Sequence, residues 1–152
     1  MLALSLPVAK HLARADSLVV RLRDRKERCV SRSRPRGYLQ GYMRVGVLAV
    51  QGDFEKHIHS LKSLSNPPET IEVRTPEDLA KVERLIIPGG ESTTVGLLLQ
   101  RYGLADAIQE RAAAGMPIWG TCMGMIMLSK KVEGRDQFTL GLLDITVRRN
   151  AF

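Results

Sequence analysis

The residues best suited to chemistry are a cysteine and the two glycines around it. Cys122 lies between Gly120 and Gly124, where a short apolar strand predicted over residues 117–119 meets an apolar helix. This G-x-C-x-G pattern is typical of a nucleophile elbow, whose strand-to-helix turn is so tight that larger neighbours would collide. A thiol there lies at a helix N-terminus, where unpaired backbone N–H groups favour negative charge. We therefore interpret Cys122 as a nucleophile and the backbone N–H of Met123 as a donor to an oxyanion.

A buried structural cysteine is the alternative interpretation, because free cysteine is among the most buried residue types. Core packing alone does not require a glycine two residues away on each side of Cys122. The pattern and its strand-turn-helix context therefore favour the catalytic interpretation.

A second segment with chemical potential is the loop over residues 88–94, Pro-Gly-Gly-Glu-Ser-Thr-Thr, which follows a predicted strand. Its two glycines allow backbone N–H groups to face a ligand without an intervening Cβ atom. Ser92 or Thr93 is predicted to cap the next helix. Such a loop is common by itself, but beside a nucleophile elbow it supplies the second half of an oxyanion hole.

The elements that must position these two loops alternate between strand and helix over residues 43–152. This alternation predicts an α/β fold with a doubly wound, mostly parallel sheet of the flavodoxin-like type. The apolar run 45–50 is predicted to be a central strand. The first predicted helix spans 53–64, with Asp53 as N-cap and Phe54, Ile58, Leu61 and Leu64 on one face. The helix after the elbow is predicted to place Met123, Met125, Ile126, Met127 and Leu128 in the core. The other predicted elements are an edge strand over 70–73, a short helix from 75, a strand over 84–87, helices over 95–102 and 104–114, a polar loop over 133–137 and strand character in 140–147.

Two histidines lie on the first predicted helix, at positions 57 and 59. Because they are two residues apart, they cannot share a helix face as a metal-binding pair would. We expect both to be solvated or packed at an edge, and we expect no metal site.

The net charge of +7 belongs entirely to the first 42 residues. That segment carries ten Lys and Arg against three Asp and Glu, whereas residues 43–152 carry thirteen of each. The domain over 43–152 therefore has no basic surface of the kind that binds nucleic acid.

The leader over residues 1–42 is open to three interpretations. Its arginines and serines suit an organellar transit peptide, against which Asp16, Asp24 and Glu27 count. A second interpretation is a basic arm over residues 14–36 that binds nucleic acid. We favour an unstructured leader, with Met43 as the natural start, because an apolar strand begins directly after Met43 and the leader has no sustained periodicity.

The two cysteines, Cys29 and Cys122, form no CxxC pair, which is the pattern of a reducing compartment. No apolar run approaches the ~20 residues that cross a bilayer. We expect a soluble, cytoplasmic protein without a membrane contact.

Four segments of residues 43–152 resemble consecutive motifs of a known family. They are Gly46-Val-Leu-Ala-Val-Gln-Gly52, Leu85-Ile-Ile-Pro-Gly-Gly-Glu-Ser-Thr-Thr94, Gly120-Thr-Cys-Met-Gly124 and Leu140-Gly-Leu-Leu-Asp-Ile-Thr-Val-Arg-Arg-Asn-Ala-Phe152. Together they resemble the glutaminase subunit of pyridoxal 5′-phosphate synthase, the PdxT family of class I glutamine amidotransferases. The Gly-Gly-Glu-Ser-Thr-Thr and Arg-Asn-Ala-Phe segments narrow the resemblance from class I glutamine amidotransferases in general to the PdxT family.

The resemblance implies hydrolysis of L-glutamine without a cofactor. In the family the cysteine attacks the side-chain amide, ammonia leaves, and water releases glutamate from a thioester. The ammonia passes to a synthase subunit of the PdxS type, which builds pyridoxal 5′-phosphate from a pentose phosphate and glyceraldehyde 3-phosphate. The resemblance therefore also implies a hetero-oligomer.

The roles implied by the resemblance fall on residues of the two loops and on one arginine. Cys122 is the nucleophile, and the N–H groups of Gly90 and Met123 form the oxyanion hole. The residues implied to line the glutamine pocket are Gly90, Glu91, Ser92 and Arg149. A guanidinium suits this role because it binds a carboxylate in a bidentate manner. Without the resemblance, Arg149 would be interpreted as a surface arginine.

The sequence departs from the family's pattern in three respects. The leader is unusual, and Met123 replaces the small residue common after the nucleophile. The family's His-x-Glu pair, which activates the cysteine, lies well downstream of it, and we expect this chain to be truncated before that pair, with its sheet incomplete at the C-terminus. We therefore expect weak or no activity from this chain alone. The alternatives are the glutaminase of another amidotransferase, such as imidazole glycerol phosphate synthase, and a non-catalytic docking remnant.

Overall fold

The computed structural model describes residues 17–20 and 43–148, which are built around a five-stranded sheet. In chain order the elements are β1 (Ser17–Val20), β2 (Arg44–Leu48), α1 (Phe54–Lys62), β3 (Glu69–Val73), α2 (Pro76–Ala80), β4 (Arg84–Ile87), α3 (Ser92–Arg101), α4 (Leu104–Ala113), β5 (Ile118–Thr121), α5 (Met123–Leu128), β6 (Ser129–Glu133) and β7 (Leu143–Arg148).

The main sheet has the strand order β1-β5-β4-β2-β3. Strands β5, β4, β2 and β3 are parallel, and β1 is antiparallel to β5. The predicted doubly wound, mostly parallel sheet is therefore confirmed, with β4 at its centre, β2 beside it in the interior and β3 at one edge. The continuous apolar run of β2 follows from its position, because a central parallel strand is covered on both faces.

Helices cover both faces of the sheet, because alternate residues of each strand point to opposite sides. On one face, Val45, Val47 and Ile86 pack against the apolar side of α1. On the other, Leu48, Leu85 and Ile87 belong to a larger core. The helical residues of that larger core include Leu79, Val95, Leu99, Leu104, Ile108, Met123, Met127 and Leu128.

Helix α1 begins after Asp53, as predicted, but ends at Lys62, two residues before the predicted end. Phe54, Ile58 and Leu61 pack against the core as expected, but Leu64 lies beyond the helix and is 53% exposed. Asp53 is the N-cap residue by position, yet its side chain makes no capping hydrogen bond. Its carboxylate instead accepts a hydrogen bond from Lys56 Nζ at 2.9 Å.

Strand β1 corrects the expectation of an unstructured leader for residues 17–20. These four residues pair with β5, from Ser17 opposite Thr121 to Val20 opposite Ile118. The edge of a sheet offers unpaired backbone N–H and C=O groups that an extended segment can satisfy. The remainder of residues 1–42 lies outside the described residues, so the other interpretations of the leader stay predictions.

A second sheet of two strands follows the elbow helix. Strand β6 pairs in parallel with β7, which confirms the strand character expected in residues 140–147. The prediction missed β6, because the polar residues Lys130 and Lys131 gave no strand signal and because its partner lies beyond an intervening loop. Helix α5 accordingly ends after only six residues.

The helices are short, and α3 and α4 have ten residues each. Within the described ranges, no helix has the length and the apolar character that crossing a membrane requires.

Candidate active site

Cys122 occupies a strained turn between β5 and α5. Its backbone angles are φ 49° and ψ −107°, and among the described residues it alone combines a side chain with a positive φ. A residue with a Cβ atom adopts this conformation only where the surrounding structure enforces it, and such positions cluster at functional sites. The Cys122 side chain is exposed and carries a free thiol. The predicted elbow is therefore present as a strand-turn-helix element with its thiol facing solvent.

The glycines on either side of Cys122 are required by close packing. A Cβ atom on Gly120 would lie 2.6 Å from the carbonyl group of Gly124. A Cβ atom on Gly124 would lie 2.1 Å from the carbonyl oxygen of Ile87 in β4. The first turn of α5 thus rests directly on the backbone of the sheet, and this contact sets the height of Cys122 above β5.

The loop between β4 and α3 lies beside the elbow. A Cβ atom on Gly89 would come within 3.7 Å of the Cys122 Cβ atom, so the backbone of this loop and the nucleophile are close neighbours. Strands β4 and β5 are parallel neighbours, and their carboxyl ends therefore deliver both loops to the same edge of the sheet. In open α/β folds, this edge is where ligands bind. The structure thus brings the two sequence-predicted loops together.

The loop after β2 holds the loop after β4 in place. The side-chain oxygen Oε1 of Gln51 accepts a hydrogen bond from the Glu91 N–H at 3.0 Å. The Asp53 N–H donates to the Gly89 carbonyl at 3.0 Å. Gly52 has φ +100°, and a Cβ atom there would lie 2.0 Å from that same carbonyl oxygen. The Gly89–Gly90 and Gly90–Glu91 peptides are therefore each held by the loop after β2.

The two N–H groups assigned to the oxyanion hole belong to Gly90 and Met123. Within the described part of the chain, neither N–H donates a hydrogen bond to another protein group. Met123 opens α5, and its side chain is only 1% exposed within the larger core. The side chain of Met123 is therefore buried, whereas that of Cys122 is exposed.

Glu91 and Ser92 make contacts within the protein. Glu91, not Ser92 or Thr93 as predicted, is the N-cap of α3, and its carboxylate accepts a hydrogen bond from the Thr94 N–H at 2.6 Å. This hydrogen bond lowers the pKa of Glu91 to about 2, so the carboxylate is ionised at neutral pH. A glutamate reaches the N–H from the cap position as an aspartate would, and the helix dipole favours its charge. The preference for a short hydroxyl side chain at this cap was therefore wrong.

Ser92 is 1% exposed, and its hydroxyl donates to Gln137 Oε1 at 3.1 Å. Its side chain thus joins α3 to the loop that precedes β7. Arg149 lies outside the described residues, so its assignment to the glutamine pocket stays a prediction.

His57 is half-buried, which agrees with the expectation that it is solvated or packed at an edge, but its contacts with β5 were not predicted. Its ring packs edge-on against Trp119, with centroids 5.7 Å apart, and its Nε2 atom lies 3.2 Å from Thr121 Oγ1. Burial lowers the pKa of His57, against a smaller opposing effect of the Asp53 carboxylate. The spacing of Phe54, His57, Ile58 and Leu61 is that of one helix face, which was the available signal. His59 is exposed, as expected.

Taken together, Cys122 offers an exposed thiol next to the Gly89–Gly90 loop, the N–H groups of Gly90 and Met123 have no acceptor among the described protein groups, and Glu91 follows Gly90 as an ionised carboxylate. Such a set suits nucleophilic attack on a carbonyl carbon, with negative charge developing on the oxygen.

Comparisons with known proteins point to one family. The model of the SNO glutamine amidotransferase family matches residues 47–152. The chain is 61% identical over 113 residues to a pyridoxal 5′-phosphate synthase subunit PdxT from Herpetosiphon aurantiacus, across 72% of this chain and 58% of that protein. It is 54% identical over 112 residues to the protein of the same name from a Roseiflexus species, with the same two coverages. The chain therefore spans less than two thirds of these relatives' length.

A solved structure also resembles the chain. A protein described as a glutamine amidotransferase superposes with a TM-score of 0.63 at 45% sequence identity, covering 71% of this chain and 57% of the other. The shares of this chain matched in sequence and in fold are nearly equal, 72% and 71%.

Proposed function

The chain belongs to the SNO glutamine amidotransferase family, and from this membership we propose that it is the glutaminase subunit of a pyridoxal 5′-phosphate synthase. The observation that carries the proposal is the strained, exposed Cys122 beside the Gly89–Gly90 peptide. The names of the relatives from Herpetosiphon aurantiacus and Roseiflexus support the synthase over other amidotransferases.

In the proposed reaction, the Cys122 thiolate attacks the side-chain carbonyl carbon of L-glutamine. The carbonyl oxygen gains negative charge and accepts hydrogen bonds from the N–H groups of Gly90 and Met123. When this tetrahedral intermediate collapses, the carbon–nitrogen bond breaks and the nitrogen leaves as ammonia after gaining a proton. A glutamyl thioester remains on Cys122, and water hydrolyses it to glutamate and the free thiol.

The remaining assignments follow the chemistry of the substrate. The ionised Glu91 carboxylate suits the α-ammonium group of glutamine, and Arg149 suits its α-carboxylate. Ammonia then passes to a synthase subunit of the PdxS type in a hetero-oligomer. No cofactor takes part in the glutaminase step of this proposal.

Covalent capture of Cys122 tests the proposal without requiring turnover. A chloroketone analogue of L-glutamine forms a carbon–sulfur bond with the thiolate and releases chloride. The label is expected on the peptide that contains Cys122, and L-glutamine, but not D-glutamine, is expected to slow its formation. Cys29 is the internal control, because it has no predicted role. Equal labelling of Cys29 and Cys122 without protection by L-glutamine would contradict the proposal.

A further inference from the structure

His57 links the middle of α1 to the residue that precedes the nucleophile. Its Nε2 atom is 3.2 Å from Thr121 Oγ1, within hydrogen-bond distance, and Thr121 is joined by one peptide bond to Cys122. The same ring contacts Trp119 edge-on, at 5.7 Å between centroids and 86° between planes. Trp119 and Thr121 lie on the same face of β5, since side chains alternate along a strand. Both contacts therefore fix the carboxyl end of β5 against α1.

The position of His57 on α1 is otherwise suited to an apolar residue. Phe54, Ile58 and Leu61 cover the sheet on this face, and His57 falls within the same stripe. Packing alone would be satisfied by leucine or methionine. What histidine adds is a ring nitrogen that pairs with the Thr121 hydroxyl.

The strained backbone of Cys122 needs support from each side. Below the turn, Gly120 and Gly124 pack against one another and against β4. On the helix side, the Cys122 carbonyl accepts hydrogen bonds from the N–H groups of Met125 and Ile126 at 3.1 and 3.4 Å. On the side facing α1, the described contact is the hydrogen bond between His57 and Thr121.

We infer that His57 is a positioning residue for the nucleophile, acting through the Thr121 hydroxyl on the peptide that leads into Cys122. This inference rests on the proposed glutaminase function. The role is one of positioning because the described polar contact of His57 is with Thr121 Oγ1, and no described contact joins its ring to Cys122. Its effect is to hold Cys122 at the angle from which a bound glutamine side chain can be attacked, and small displacements of reacting groups have large effects on rate.

The test compares the rates at which two electrophiles label Cys122 in the full chain carrying Cys29→Ser. The chloroketone analogue of L-glutamine reports positioning against a bound substrate shape, whereas iodoacetamide reports only an accessible thiol. We expect His57→Ala and Thr121→Val each to lower the chloroketone rate roughly tenfold. The iodoacetamide rate is expected to change by less than about twofold.

Three further variants isolate the hydrogen bond. His57→Gln and Thr121→Ser keep a polar partner, and they are expected to retain most of the chloroketone rate. His59→Ala, an exposed position on the same helix, is the matched control and should label as the parent chain does. Because two residues that act through one contact are not additive, the double variant His57→Ala with Thr121→Val should be no slower than the slower single variant.

Each result either supports or overturns the inference. An unchanged chloroketone rate in His57→Ala, while the parent chain is labelled and protected by L-glutamine, would overturn this inference alone. Multiplicative effects in the double variant would also overturn it. Failure of the parent chain to be labelled would overturn the proposed function as well. If circular dichroism shows that His57→Ala is unfolded, the inference is tested by the chloroketone rates of Thr121→Val and Thr121→Ser. Equal rates in these two variants would overturn it.

Discussion

Gly124 of the elbow helix lies directly on Ile87 of the neighbouring strand, so that a Cβ atom on Gly124 would come within 2.1 Å of the Ile87 carbonyl oxygen. The contact is between two backbones, which cannot move aside as a flexible side chain can. It therefore couples the position of Cys122 to β4, the strand that also leads into the Gly89–Gly90 loop. Cys122 and the Gly89–Gly90 loop are thus both connected to β4.

Replacing Gly124 with alanine is expected to destabilise the fold by roughly 3 kcal/mol, because overpacking against backbone forces the elements apart. Gly89→Ala is the matched control, since its new Cβ atom would meet its nearest neighbour at an ordinary 3.7 Å. Urea unfolding followed by circular dichroism measures both. Equal stability of Gly124→Ala and the parent chain would show that α5 does not rest on β4.

Gln51→Leu is expected to slow labelling of Cys122 by the glutamine chloroketone, because the side chain loses the oxygen that holds the Glu91 N–H. The expected loss in unfolding free energy is about 1 kcal/mol, as for a typical hydrogen bond. Gln109→Leu is the control, since it removes a comparable bond from Nε2 to the Leu140 carbonyl. The control should lose similar stability and keep its labelling rate. A similar fall in both labelling rates would mean that Gln51 acts only through stability.

The Glu91 cap predicts a stability difference that depends on pH. The carboxylate has its pKa lowered from 4.5 to about 2 by the Thr94 N–H, so its contribution is complete above pH 4.5 and is lost as the pH falls through about 2. Glu91→Gln should therefore be less stable than the parent at pH 7, by up to about 1 kcal/mol, with a gap that closes in acid. The exposed Glu110→Gln is the control for a change of charge. A gap that is constant from pH 7 to pH 2 would exclude the cap as its cause.

The lowered pKa of His57 predicts a second dependence of stability on pH, in a higher pH range than that of Glu91. Burial lowers its pKa below 6.5 in the folded chain, so the unfolded chain binds more protons between the two values. The contribution of the neutral His57 ring to the free energy of unfolding is therefore present above pH 6.5 and is lost as the pH falls through the pKa of His57 in the folded chain. In His57→Gln this loss is absent, and the stability of the variant relative to the parent should rise from pH 7 to pH 5. His59→Gln serves as the control, and a parallel change in both variants would contradict the assignment.

The strand-turn-helix at Cys122 and the main sheet could be predicted because they depend on local patterns. The glycines at positions 120 and 124 indicate that little space surrounds the turn at Cys122. The apolar runs that became β2 and β4 are long enough to require burial on both faces. Parallel neighbours then bring their following loops to one edge, whatever the sequence of those loops.

The interactions that escaped prediction join residues distant in the chain. His57 meets Thr121 across 64 positions, and nothing near either residue indicates the other. Strand β6 forms because β7 lies beside it, although Lys130 and Lys131 are polar. At the start of α3, the Glu91 carboxylate accepts the capping hydrogen bond that was predicted for a hydroxyl of Ser92 or Thr93. The Ser92 hydroxyl instead donates a hydrogen bond to Gln137.

The most direct test of the central claim, that Cys122 opens the side-chain amide of glutamine, is the formation of glutamate and ammonia from L-glutamine. The parent chain, Cys122→Ala and Cys29→Ala are compared over hours, so that slow turnover is counted. We predict slow formation of equal amounts of glutamate and ammonia by the parent and by Cys29→Ala, and no formation above the protein-free background by Cys122→Ala. Formation at the same rate in Cys122→Ala as in the parent would contradict the account.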